Sequence, residues 1–168
     1  MKLFRNKYRV KSHRLQYWDY STPGWYVVTI CTKNMKCWFG KIENGKMVLN
    51  DAGKIVEECW KNIPEHYKGI ELDYYVIMPN HIHGILIINS VETGHAPSLQ
   101  HYGFSLGNVI GSFKSAVSKH IHQKGFTTFS WQARFYDHII RNEADLFRII
   151  NYIQNNPLKW KPDENYNL

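Results

Sequence analysis

Residues 70–78 and 81–89 form two runs rich in isoleucine, leucine, valine and tyrosine, and only Pro79 and Asn80 stand between them. Both have strand length, and turn-forming residues bound them. So short a connection allows consecutive strands to pair only antiparallel, because parallel pairing needs a crossover of a dozen or more residues. The chain must therefore be built around an antiparallel hairpin. A further strand is expected at 25–32 (WYVVTICT), behind the Pro23-Gly24 punctuation, and another around 135–140.

Helical spacing fills the intervals. Asn50 or Asp51 can cap a helix carrying Ile55, Val56, Cys59, Trp60 and Ile63, which Pro64 should end. Ser105 can cap a longer helix with Leu106, Val109, Ile110, Phe113, Val117 and Ile121 on one face, while Lys114, Ser118 and Lys119 fall away from that stripe. A last helix should start at Asn142, where Asn142 and Asp145 resemble a capping-box pair, and stop before Pro157. Asn44-Gly45 marks a small additional hairpin within 42–49, and 90–104 reads as a loop. The order β-α-β-β-α-β predicts an α+β, ferredoxin-like split βαβ fold. Its antiparallel sheet has helices on one face, and an extra C-terminal helix carries Tyr152.

Charge narrows the partners. The chain of 168 residues carries a formal +7, which suits a polyanion such as nucleic acid, though an acidic protein or anionic membrane would satisfy the same sign. Lys2, Arg5, Lys7, Arg9, Lys11 and Arg14 precede the first acid, Asp19, and read as a solvated arm able to lie on a phosphate backbone. The expected organisation is a basic arm at 1–20, one catalytic domain at 21–160 and a tail at 161–168. Cys31, Cys37 and Cys59 are odd in number and lack CxxC spacing, which argues against a disulfide framework or a zinc knuckle. The basic N-terminus has no apolar h-region, and no apolar run approaches the ~18 residues of a membrane span. A soluble, cytoplasmic protein is expected.

His81-Ile82-His83 is the sharpest chemical feature. Side chains alternate along a strand, so the two imidazoles share a face, with Cα atoms ~7 Å apart, while Ile82 enters the core. The pair could hold one cation, or it could be two hydrogen-bonded histidines beside a turn. On the last helix, Tyr152 and Asn156 lie four residues apart, hence on one face. Taken alone, a tyrosine at position 152 is usually an amphipathic packing residue, and Asn156, just before Pro157, usually a cap.

Together, three motifs resemble a family. Met78-Pro-Asn-His-Ile-His83, then Trp131-Gln132 with Phe135-Tyr-Asp-His-Ile-Ile-Arg141, then Tyr152-Ile-Gln-Asn-Asn-Pro157 are similar to the signatures of IS200/IS605-type single-tyrosine transposases. The closest branch is the REP-associated tyrosine transposases. The likeness runs from about Trp18 to Trp160. It implies a metal-dependent single-stranded DNA nuclease and strand-transferase, with Tyr152 as nucleophile and a 5′-phosphotyrosine intermediate. By the same resemblance His81, His83 and Asn156 would hold a divalent ion, Mg²⁺ or Mn²⁺. Relatives of the family often carry glutamine at the place of Asn156.

The implied partner is single-stranded DNA with imperfect hairpins, with no nucleotide cofactor and no membrane, the protein acting as a monomer or homodimer. Candidate DNA contacts are Arg5, Lys7, Arg9 and Arg14 on the arm, Lys114 and Lys119 on the long helix, and Arg134 and Arg141 beside the fourth strand. Trp18, Trp131, Phe135 and Tyr136 could stack on bases. His138 could meet a phosphate or serve as a further ligand, and Asp137 could orient a histidine. Two other readings stay open. One is a hairpin-binding protein without turnover. The other is a His-x-His hydrolase using Asp73 or Asp137, with Tyr152 structural.

Overall fold

The computed structural model describes residues 18–90 and 102–160. The arm residues Arg5, Lys7, Arg9 and Arg14, most of the expected loop and the tail lie outside the described residues. Strand β1 (Gly24–Cys31) is followed by the hairpin β2 (Gly40–Glu43) and β3 (Lys46–Leu49). Helices α1 (Asp51–Lys61) and α2 (Ile63–His66) lead to β4 (Ile70–Met78) and β5 (His81–Ile88). Then come α3 (Leu106–Gln123), β6 (Tyr136–Ile140) and α4 (Glu143–Asn155). The main sheet runs β4-β5-β1-β6, antiparallel throughout, which is the strand order of the split βαβ fold.

Local chemistry explains most element ends. Asn44 and Gly45 both take positive φ (50° and 72°), the backbone a two-residue hairpin turn demands, and β2 and β3 pair with each other as a separate ribbon. Asn50 caps α1 by accepting from the Gly53 amide, and Ser105 caps α3 in a full capping box with Asn108. Pro64 does not end α1. That helix stops at Lys61, and Pro64 occupies the first turn of α2, where its missing N–H has no helical partner to lose.

Two cores flank the sheet. On one face, α1 and α3 cover Tyr26, Val28 and Ile30 of β1 and Ile82, Leu86 and Ile88 of β5. Gly84 lets the Trp60 ring lie directly on β5, since a Cβ there would come within 2.2 Å of the indole. The opposite face carries a smaller core, in which Ile149 and Ile153 of α4 close on Ile85, with Val27, Val76 and Ile140 around them. Each such isoleucine contributes about 1.5–3 kcal/mol by leaving water. This second core fastens α4 over the face of β5 that presents His81 and His83.

Candidate functional site

The alternation of β5 puts His81, His83 and Ile85 on the face that α4 covers, and Ile82 in the opposite core. The imidazole centroids of His81 and His83 are 4.5 Å apart. Both residues are buried, at 9% and 6% exposure. Burial disfavours the charged form of each ring, lowering His81 to about 4 and His83, with the His81 charge adding to the effect, to about 3. Both are therefore neutral at neutral pH, the protonation state a metal ligand needs.

Neighbours set their orientation. The Asn80 amide nitrogen donates to the Met35 carbonyl at 2.9 Å, which turns its oxygen towards His81 Nδ1 at 2.7 Å. An amide oxygen only accepts, so Nδ1 carries the proton and Nε2 keeps its lone pair. His83 Nδ1 is hydrogen-bonded to Thr29 Oγ1 at 2.7 Å, and Thr29 faces it directly in the β1–β5 register. Asp137 takes no part in this. Register places it opposite Val28, on the face covered by α1 and α3, so the orienting role proposed for it falls to Thr29 and Asn80.

The apolar stripe of α4 brings Tyr152 to the pair. With Ile149 and Ile153 facing the sheet, Tyr152 lies on the shoulder of the helix, and its hydroxyl is 3.4 Å from His83 Nε2. The two rings meet edge-on at 5.1 Å between centroids. Tyr152 as a whole keeps 51% exposure. Asn156 is the C-cap of α4, one turn beyond Tyr152 and half-buried. The Trp160 ring packs against His81 at 6.1 Å.

A cleft of about 570 Å³ opens beside the tyrosine. Its lining combines Val27, Thr29, His83 and His138 from the sheet with Arg148, Ile149, Asn151, Tyr152, Asn155 and Lys159. Arg148 and Lys159 bring basic side chains to this lining, which suits phosphates. Sequence reasoning missed Arg148, Asn151, Asn155 and Lys159 as cleft residues, although helical spacing from Tyr152 puts Arg148 and Asn155 on the same side. Asn155, rather than Asn156, lines the cleft.

The expected DNA contacts divide. Tyr136 stands exposed on β6, opposite Thr29 and on the histidine face, and Arg134 and Arg141 are exposed at the two ends of that strand. Phe135, just before β6, packs partly buried against the larger core. Lys114 and Lys119 belong to α3, across the sheet from the histidines. Lys114 donates to the Gln132 carbonyl, and its partial burial lowers its pKa. Trp131 is a packing residue, its ring against Phe39, Phe113 and Phe129 and its Nε1 donating to the Lys114 carbonyl. Trp18 donates to the Tyr26 hydroxyl at 3.2 Å. His138 is paired with Asp145 at 2.6 Å.

No family model matches the chain. A protein of unassigned function from Haemophilus influenzae is 39% identical over 166 residues, covering 93% of this chain and 92% of its own length. A second protein of that organism, provisionally named a REP-associated tyrosine transposase, is 26% identical over 141 residues, or 84% of this chain and 74% of its own. Among solved structures, a REP-associated tyrosine transposase bound to a REP hairpin matches with a TM-score of 0.59 at 19% identity. That match spans 89% of this chain and 74% of the other, and it is a likeness of fold.

Proposed function

We propose that this chain, which is homologous to REP-associated tyrosine transposases of the IS200-like group, cleaves and rejoins single-stranded DNA beside hairpins, with Tyr152 as the nucleophile. The observation that carries this reading is the Tyr152 hydroxyl 3.4 Å from His83 Nε2, in a cleft bearing Arg148 and Lys159. One chain supplies both histidines and the tyrosine, which favours a monomer acting on its own site.

The donor chemistry fits a divalent cation. His81 and His83 are neutral, close together and held from behind through Nδ1, with the His81 Nε2 lone pair assigned by Asn80. By the resemblance, the third protein ligand of this reading is the Asn156 amide, one turn past Tyr152; among the described residues no group of three or more His, Cys, Asp or Glu side chains is placed to hold a metal ion. Bound there, Mg²⁺ or Mn²⁺ would act as Lewis acid and template for the scissile phosphate.

The chain's own residues do the rest. Arg148 and Lys159 draw the DNA backbone into the cleft. The Tyr152 oxygen attacks phosphorus, the bond to the 3′ oxygen breaks, and the products are a 5′-phosphotyrosine and a free 3′-hydroxyl. Because the phosphodiester energy is retained in the tyrosyl link, a second 3′-hydroxyl can reverse the step and join new ends without ATP. The hydrolase alternative loses Asp137, which lies on the other face of the sheet.

The test is a labelled hairpin oligonucleotide with single-stranded flanks, incubated with Mn²⁺ and run on a denaturing gel. A covalent protein–DNA band that disappears with chelator and in Tyr152→Phe is expected. A gel shift without any covalent band would replace this reading with that of a hairpin-binding protein. Cleavage surviving Tyr152→Phe would favour a hydrolase.

A further inference from the structure

The reaction above uses Arg148 only as general attraction and leaves His138 and Asp145 without a task. The three form a connected cluster, of which His138 and Arg148 line the cleft. His138 Nε2 donates to Asp145 Oδ2 at 2.6 Å, and Arg148 donates to Asp145 Oδ1. Asp145 is the third residue of α4, where a capping box would return its carboxylate to the Asn142 amide. Only half of that box exists. The Asp145 amide donates to Asn142 Oδ1 at 2.8 Å, while the carboxylate turns to the sheet. Its side chain is 16% exposed, against 51% for His138 and 70% for Arg148, so a shielded acid braces two accessible nitrogen-rich groups.

Position decides what the cluster can grip. His83 faces Thr29 and His138 faces Val27, so the two histidines stand two strands and two residues apart on one face of the sheet. That places their Cα atoms ~12 Å apart. Arg148 is one helical turn before Tyr152, with Cβ atoms ~6 Å apart. The cluster is too far from His81 and His83 to share the scissile phosphate with them, and near enough to meet a neighbouring phosphate of the same strand.

We propose that His138, Asp145 and Arg148 form a second phosphate site, which holds a phosphodiester flanking the scissile one and so sets the register of single-stranded DNA over Tyr152. This rests on the DNA-cleaving reading of the cleft. The Arg148 guanidinium has five N–H donors, and its Asp145 contact leaves several for phosphate oxygens. His138 commits its Nε2–H to Asp145 and steadies the carboxylate from the sheet side, so the phosphate contacts come from Arg148. Asp145 holds both side chains in place before DNA arrives, which lowers the entropy cost of ordering them on binding. Lys159, Tyr152 and His83 line the same cleft.

The test measures binding without turnover, using full-length Tyr152→Phe protein with chelator and hairpin oligonucleotides in which one flanking phosphate at a time is a neutral methylphosphonate. One position should weaken binding about tenfold, the scale of a single charge-assisted contact. Arg148→Ala added to this protein should weaken the unmodified DNA to a similar degree, lose no more at that position, and reduce the salt slope of log K by about 0.7. Asp145→Asn keeps Arg148 and removes one negative charge, so general attraction alone would tighten binding, whereas the brace predicts that the position-specific effect disappears. The proposal is overturned if Arg148→Ala and neutralisation multiply at every position, or if Asp145→Asn binds more tightly with its scan unchanged. Melting curves for each variant establish that it is folded. A normal scan without any covalent adduct from wild-type protein would sink the cleavage reading and leave the phosphate site standing.

Discussion

The Tyr152 hydroxyl stands 3.4 Å from Nε2 of His83, 69 positions earlier in the chain. The contact joins α4 to an interior strand of the sheet, and it exists because Ile149 and Ile153 anchor the helix on Ile85. A half-exposed phenol held this close to a buried neutral imidazole is poised to act on something that enters from the cleft.

Tyr152→Phe removes one oxygen and keeps the ring. With the side chain half-exposed, folding stability should change by no more than about 0.5 kcal/mol. The covalent DNA adduct should vanish. A variant that melts normally and still forms the adduct would show that another residue is the nucleophile.

The histidines make the metal-free protein acid-sensitive. Their folded pKa values, about 4 and about 3, lie below the unfolded value near 6.5. The unfolded chain therefore binds more protons between these limits, and stability falls as pH drops from about 6.5 towards the folded values. Between pH 6.5 and 5 the loss should be about 2 kcal/mol per histidine. Urea melts in chelator at pH 7 and pH 5 would measure it, with a His81→Asn, His83→Asn double variant as reference. An equal loss in that variant would refute the assignment.

Thr29→Val keeps the shape and the β-branched backbone preference of the strand but leaves His83 Nδ1 without its 2.7 Å partner. Stability should fall by about 1–2 kcal/mol. The Mn²⁺ concentration needed for half-maximal adduct should rise about 10–100-fold, since the ring loses its orienting contact. An unchanged metal requirement would mean that Thr29 does not position the ring.

Gly84→Ala tests the packing behind the histidines. The added methyl would meet the Trp60 ring at 2.2 Å, and Trp60 is fully buried. Overpacking of this kind costs about 1–3 kcal/mol, and the strain falls on the strand that carries His81 and His83. A chemical melt showing wild-type stability would require Trp60 to relocate at no cost.

Much of this molecule is written in patterns shorter than one element. The strand period of two puts His81 and His83 on one face and Ile82 on the other, the helical period puts Tyr152 and Asn156 together, and Asn44-Gly45, Asn50, Ser105 and Asn142 mark ends where they stand. Pro64 was misread because the same ring that stops a helix also starts one. The partners of the site were not legible. Thr29 and Asn80 matter only through strand pairing and the fold of a distant loop, Asp145 looks like a cap until β6 is beside it, and the ring packing of Trp131 and the Gln132 contact of Lys114 exist only once α3 meets the segment before β6. Periodicity governs spacing along one strand or helix. Which face a helix covers, and which residue sits opposite which, follows from apolar side chains meeting across the sheet, and here that meeting of Ile149 and Ile153 with Ile85 brought the tyrosine to the histidines.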